Sequence, residues 1–290
     1  MNKCTCPPSQ YFYSASAYGF SAELARPARH SICAQAATVL GADGGCGSTR
    51  LRDFKFDGFL SVDDAHTEVG GSYDECHNIH TTYAYSSLEG LNVADVLTAD
   101  RVVSRLYIYA PADPEDGNES SFTITGSHFE NLRIAGCKVD VQLATSEFHG
   151  YDTYSGVAAA HQAEKSDPWL LGSKLAGLEA GALQEVENTY HALRGMSKLI
   201  EGWKQTGQKR TPRGTYFLSL ANDLKLEGCS SDIKVCGNMI FIPKFGVIRL
   251  AELVVHRHCR SLTMFRVHMC SGADGTCGGG GTQGSGGTTG

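Results

Sequence analysis

Between Gly246 and Cys270, apolar residues recur at every second position on both sides of a short polar interruption, Arg257–Ser261. A strand turns successive side chains to opposite faces, so Ala251, Leu253 and Val255 share one face, and Phe265, Val267 and Met269 share another. Keeping these odd positions together predicts an antiparallel hairpin of Gly246–Val255 with Leu262–Cys270. Its expected register sets Leu253 opposite Phe265 and Glu252 opposite Arg266, with a loop of about three residues. Ile248, Leu250, Val254, Leu262 and Met264 occupy the even positions, so both faces are expected to be covered, as in a central hairpin.

The rest of the chain carries short strand signals of the same kind. Tyr11 to Leu24, Arg50 to Val62, Ile79 to Leu88 and Arg101 to Ala110 read as strands. Ser121–Ser127, Leu132–Ile134 and Lys138–Leu143 continue the series, with turn residues between them. Ile32 to Leu40 reads as a strand or a short helix, and Val69 to Glu75 reads as a loop. Asp57-Gly58 is either a turn or a bulge inside one strand. This spacing predicts a mainly β fold, a sandwich or barrel of short antiparallel strands.

One stretch departs from the two-residue period. Leu171, Leu175, Leu178, Ala182, Val186, Tyr190, Leu193, Met196, Ile200 and Trp203 recur every three or four residues. Asp167 suits the N-cap and Pro168 the first helical position. The expectation is one long amphipathic helical insertion over 168–206, making the chain α+β overall. The expected organisation is a tether over 1–10, a single β-rich domain over 11–270 and a flexible Gly/Ser/Thr tail over 271–290.

Composition narrows the function classes. The net charge is -6 and the pI about 6.0, and no part of the chain is strongly basic, which argues against nucleic acid as a partner. No apolar run reaches about eighteen residues, so no transmembrane helix is expected. The start, Met1 to Pro8, lacks the apolar stretch of a secretory leader. Eleven cysteines pull the other way, toward an oxidising compartment. Cys33 and Cys137 sit in apolar runs and read as core residues, whereas Cys46, Cys76, Cys229, Cys236 and Cys277 lie in loop-like surroundings suited to bridges. On balance an extracellular or cell-surface setting is expected over the cytoplasm.

Leu88–Val93 followed by Thr98–Val102, together with Phe129–Gly136 and Leu262–Val267, resembles a group of uncharacterised bacterial β-rich proteins. The first two segments are also similar to the repeating β modules of the bacterial surface proteins called choice-of-anchor P. The resemblance implies a β-rich fold and an envelope or extracellular setting. It implies no reaction.

Chemistry-bearing clusters are few. His256 and His258 stand two apart, a spacing that turns two imidazoles to one side of a strand and suits a divalent metal. Cys259, His268, His77 or His80 would complete such a site; the plainer reading is a polar hairpin end. Asp74 to His80 places Cys76 beside His77, but neighbours on a strand face apart. Tyr11, Phe12, Tyr13, Tyr18 and Phe20 suit either a sugar platform or ordinary packing. There is no phosphate-binding loop, dinucleotide fingerprint, HExxH or GxSxG. The sequence therefore favours a non-enzymatic β protein that binds a protein or glycan or self-associates, with no cofactor expected. The alternative is a metal-dependent enzyme using His256 and His258.

Overall fold

The computed structural model describes residues 11–24, 30–112, 119–144, 151–163, 215–243, 245–269 and 285–286. The first strands are β1 (Ala15–Ala17), β2 (Phe20–Leu24), β3 (His30–Gln35) and β4 (Thr38–Val39). Four long strands follow: β5 (Gly45–Phe56), β6 (Leu60–Asp74), β7 (Ile79–Val93) and β8 (Leu97–Pro111). Next come β9 (Ser121–Thr123), β10 (His128–Glu130), β11 (Arg133–Ile134), β12 (Cys137–Leu143) and the helix α1 (Tyr154–Ala163). The last are β13 (Thr215–Ser219), β14 (Ala221–Glu227), β15 (Lys234–Cys236), β16 (Met239–Ile242), β17 (Gly246–His256), β18 (Cys259–Met269) and β19 (Ser285–Gly286).

Two antiparallel sheets enclose one core. The larger runs β14-β12-β11-β8-β7-β6-β5, and β11, β10 and β9 share the second edge of β8 in succession. In the smaller, β18 covers one edge of β17, while β16 and β13 divide the other. Val62, Ala65, Leu88, Val102 and Leu106 of the large sheet pack in one cluster with Ile248, Leu250, Leu253, Met264 and Phe265 of the small one. Between β13 and β14 the chain passes at Leu220 from the small sheet to the large, forming a corner. Two further ribbons, β2–β3 and β19–β1–β4, complete the strands.

The long strands form because their apolar residues alternate, and they bend because that alternation reverses. In β6 the buried positions pass from Leu60 and Val62 to Ala65, Thr67 and Val69. In β7 they pass from Ala84, Ser86 and Leu88 to Leu91 and Val93, and β8 shifts in the same way. Left-handed backbone at Asp53 (φ 53°) and Gly90 (φ 62°) marks this line across the sheet. A side chain at Gly90 would collide with the Asp63 carboxylate, so glycine is required there. Such irregularities bend a strand and increase its twist, which curls the sheet around the core.

The mainly β expectation holds, and its helical part is corrected. Among the described residues α1 is the single helix, and it lies before the segment expected to be helical. The expected insertion over 168–206 lies outside the described residues, so the described fold is mainly β rather than α+β. The strands are also longer than expected, since β6 absorbs most of Val69 to Glu75. Asp57-Gly58 is a turn between β5 and β6. Ile32 to Leu40 is strand, divided between β3 and β4.

The hairpin of β17 and β18 is antiparallel, but its register is corrected. Leu253 faces Leu262 and Leu250 faces Phe265, with a two-residue turn between His256 and Cys259. Almost every residue of β17 is buried, so its apolar residues match β18 equally well in several registers and the turn decides. The partner along the other edge changes at Ala251, whose φ is 52°. The Leu250 N–H donates to the Asn238 carbonyl at 3.0 Å, and the Leu220 N–H to the Ala251 carbonyl at 2.9 Å. The buried Asn238 amide donates to the Leu250 carbonyl at 2.8 Å. These bonds hold a left-handed residue that costs roughly 1–2 kcal/mol. The break in alternation brings Arg249 and Glu252, three apart, to 2.7 Å, and Glu252 also accepts from Arg266 at 3.0 Å. The expected Glu252–Arg266 contact therefore exists, reached through a different register.

Candidate functional site: the outward face of the large sheet

Each long strand has one face in the core and one turned away from it. The pairing of β5 to β8 arranges the outward residues in rows across the sheet. One row reads Cys46, Gly70, Tyr83, Tyr107 and Thr123. The next is Ser48, Glu68, Tyr85 and Arg105. Below it come Arg50, His66, Ser87, Val103 and His128, then Arg52, Asp64, Glu89, Arg101 and Glu130. No described strand or helix packs on this face.

The rings and charges of the face hold one another in place. Tyr83 lies across Gly70, where any side chain would collide with the ring. Tyr83 and Tyr107 stack with centroids 5.6 Å apart, and Tyr107 and Tyr109 lie 6.4 Å apart. The Arg105 guanidinium sits 5.3 Å from the Tyr85 centroid, a cation–π distance. Arg50 donates to Asp64 at 2.7 Å and holds that carboxyl below its usual range. Burial pushes the Tyr83 and Tyr109 phenols up, so both remain neutral donors near pH 7. A hydrogen bond with Tyr85 pushes the Arg101 guanidinium up. The face thus offers neutral phenols, fixed guanidiniums and paired carboxylates, groups suited to recognition.

A family model described as a domain of unknown function (DUF8256) matches residues 11–256. The chain belongs to this family. No curated protein and no solved structure matches it. The DUF8256 region includes all the rows above and ends at the last residue of β17.

The histidines expected from the sequence fall at separate places in the DUF8256 fold. His256 ends β17 and His258 lies in the turn, with ring centroids 6.2 Å apart. His77 lies in the turn after β6, where its Nδ1 is 2.7 Å from Asp74. His80 stacks on Tyr11 at 3.9 Å, and its Nδ1 is hydrogen-bonded to the Tyr13 phenol at 2.8 Å. Among the described residues no group of three or more His, Cys, Asp or Glu is placed to hold a metal. The metal-dependent alternative therefore draws no support from the geometry.

Tyr11 and Tyr13 are spent on packing around His80, and Phe20 is buried in the core, so these aromatics form no sugar platform. Cys33, expected in the core, is exposed, whereas Cys137 is buried and bridged to Cys229. The residues missed by sequence reasoning are Tyr83, Tyr85, Tyr107, Tyr109, Arg101 and Arg105. Their signal was the polar half of the alternation in β7 and β8.

The setting of His80 has a pH consequence. Burial holds the imidazole below its ordinary value, so folding favours the neutral ring. The unfolded chain takes up this proton near pH 6.5. The site's contribution to stability is complete above about pH 6.5 and is lost as pH falls through the folded value. Urea midpoints of the wild type should fall more between pH ~7.5 and ~5 than those of His80→Phe. Equal falls in the two proteins would show that His80 is not the group responsible.

Proposed function

We propose that this DUF8256 protein is a non-catalytic binding module whose working surface is the outward face of the large sheet. One observation carries the reading: three rows bearing tyrosines, arginines or carboxylates on a face no described element covers. Tyrosine and arginine are the residues enriched where proteins bind proteins. Tyr83 and Tyr107, and Tyr107 and Tyr109, stack with their ring planes turned toward one another. That favours a flat protein surface over a sugar, which needs a free ring plane to stack on. The disulfide and the resemblance to surface proteins favour an extracellular or envelope assembly.

The partner's identity is not needed for the test. Hydroxyl-radical footprinting in the cells that make the protein should show Tyr107, Tyr109 and Tyr85 protected relative to dilute purified protein. Exposed Phe12, away from the face, serves as the internal reference. Equal reactivity of the face tyrosines in both samples would reject this surface as the working one.

A further inference from the structure

Building on that reading of the face, we infer that its partner is a second copy of this chain, docked face to face about a two-fold axis along β7. The charges supply the argument. Glu68 and Arg105 flank Tyr85 in one row, and Asp64 and Arg101 flank Glu89 in another. A two-fold axis parallel to the strands and lying over β7 keeps every row at its own height and exchanges left for right. It therefore sets Glu68 over the partner's Arg105 and Asp64 over the partner's Arg101. One strand further out it sets Arg52 over the partner's Glu130. In the upper row the partner's Tyr107 meets the Tyr83 ring that lies across Gly70. An isologous interface must be complementary to itself, and here one operator pairs opposite charges in two rows.

The state of the isolated chain agrees. Arg105 has no carboxylate within 4.0 Å among the described residues, and its Nε is buried without a hydrogen-bond partner. Glu68 meets only the His66 ring among these, at 3.3 Å, and remains half exposed. Glu89 meets its own copy on the axis, and Arg101 of the same protomer, 3.8 Å away, offsets that repulsion. Strand spacing of about 4.8 Å and about 6.8 Å between outward residues make the face on the order of 600 Å². That approaches the ~800 Å² per partner of a standard stable interface. Face-to-face sheets pack with their strands nearly aligned, as this axis requires.

A charge exchange tests the inference. Sedimentation velocity of the full chain over a concentration series should show a monomer–dimer equilibrium that weakens with added salt. Glu68→Arg and Arg105→Glu should each weaken dimerisation at least tenfold. The double variant Glu68→Arg with Arg105→Glu should return to within a few-fold of wild type. Glu68 is half exposed and Arg105 half-buried, and unchanged circular dichroism checks that each variant folds. A wild type monomeric at every soluble concentration overturns the inference, as does a dimer indifferent to the single changes or a double variant as weak as the singles. If the face is nevertheless protected in the producing cells, the binding surface stands and its occupant is a different protein. If it is unprotected there as well, both readings fall.

Discussion

Glu252→Leu is expected to cost about 3–5 kcal/mol of folding stability, the penalty for removing one partner of a buried charge network. The Glu252 carboxylate accepts from Arg249 at 2.7 Å and Arg266 at 3.0 Å, and Glu252 and Arg249 are both buried. Taking it away removes a carboxylate that offsets the desolvation of the buried Arg249 guanidinium. Arg266→Met should cost much less, because that side chain is 43% exposed and screened by water. The double change Arg249→Met with Glu252→Leu should recover most of the loss, since apolar residues of similar volume often replace a buried ion pair at little cost. Denaturant midpoints of these variants decide it. A small effect of Glu252→Leu, or no recovery in the double variant, would show that the network is not what holds β17 at its break.

Cys229→Ser is expected to have an effect of the same size by another route. The bridge to Cys137 closes a loop with a sequence separation of 92. A cross-link over so long a span removes unfolded-chain entropy worth about 4–5 kcal/mol. It closes one end of the β12–β14 ladder, the end opposite to that where the Ala144 N–H donates to the Leu220 carbonyl. Lys138 faces Glu227 two residues before the bridged Cys229. Reduction should lower the denaturation midpoint of the wild type markedly and leave Cys229→Ser unchanged. A wild-type midpoint insensitive to reductant would mean that the two thiols are not joined in the folded protein.

These two sites differ in how far the sequence disclosed them. Cys229 stood out as a loop cysteine, but its partner did not, because Cys137 lies in an apolar run and reads as core. It is both buried and bridged, and only the pairing of β11 and β12 with their neighbours brings it to Cys229. Glu252 and Arg266 were expected to meet and do, yet the path between them depends on Ala251. Nothing about an alanine announces a left-handed conformation; that conformation is imposed where β17 exchanges β16 for β13. The candidate face was half visible. Tyr83, Tyr85, Arg105, Tyr107 and Tyr109 stand at alternate positions within two runs already recognisable as strands. That they belong to one surface, with Glu68 and Asp64 beside them, depends on cross-strand register, which two-residue alternation cannot set over such lengths.

What the sequence by itself determined is local: which stretches alternate and become strands, and that β17 and β18 form a hairpin. Each follows from interactions between residues near in the chain, where side-chain periodicity and backbone preference act directly. Only the tertiary structure decided the register of that hairpin, the bend through Asp53 and Gly90, the Cys137–Cys229 bridge and the composition of the outward rows. In each of these the deciding contacts join residues distant in sequence. A strand buried on both faces matches several partners almost equally well, so the choice falls to the packing of the whole core.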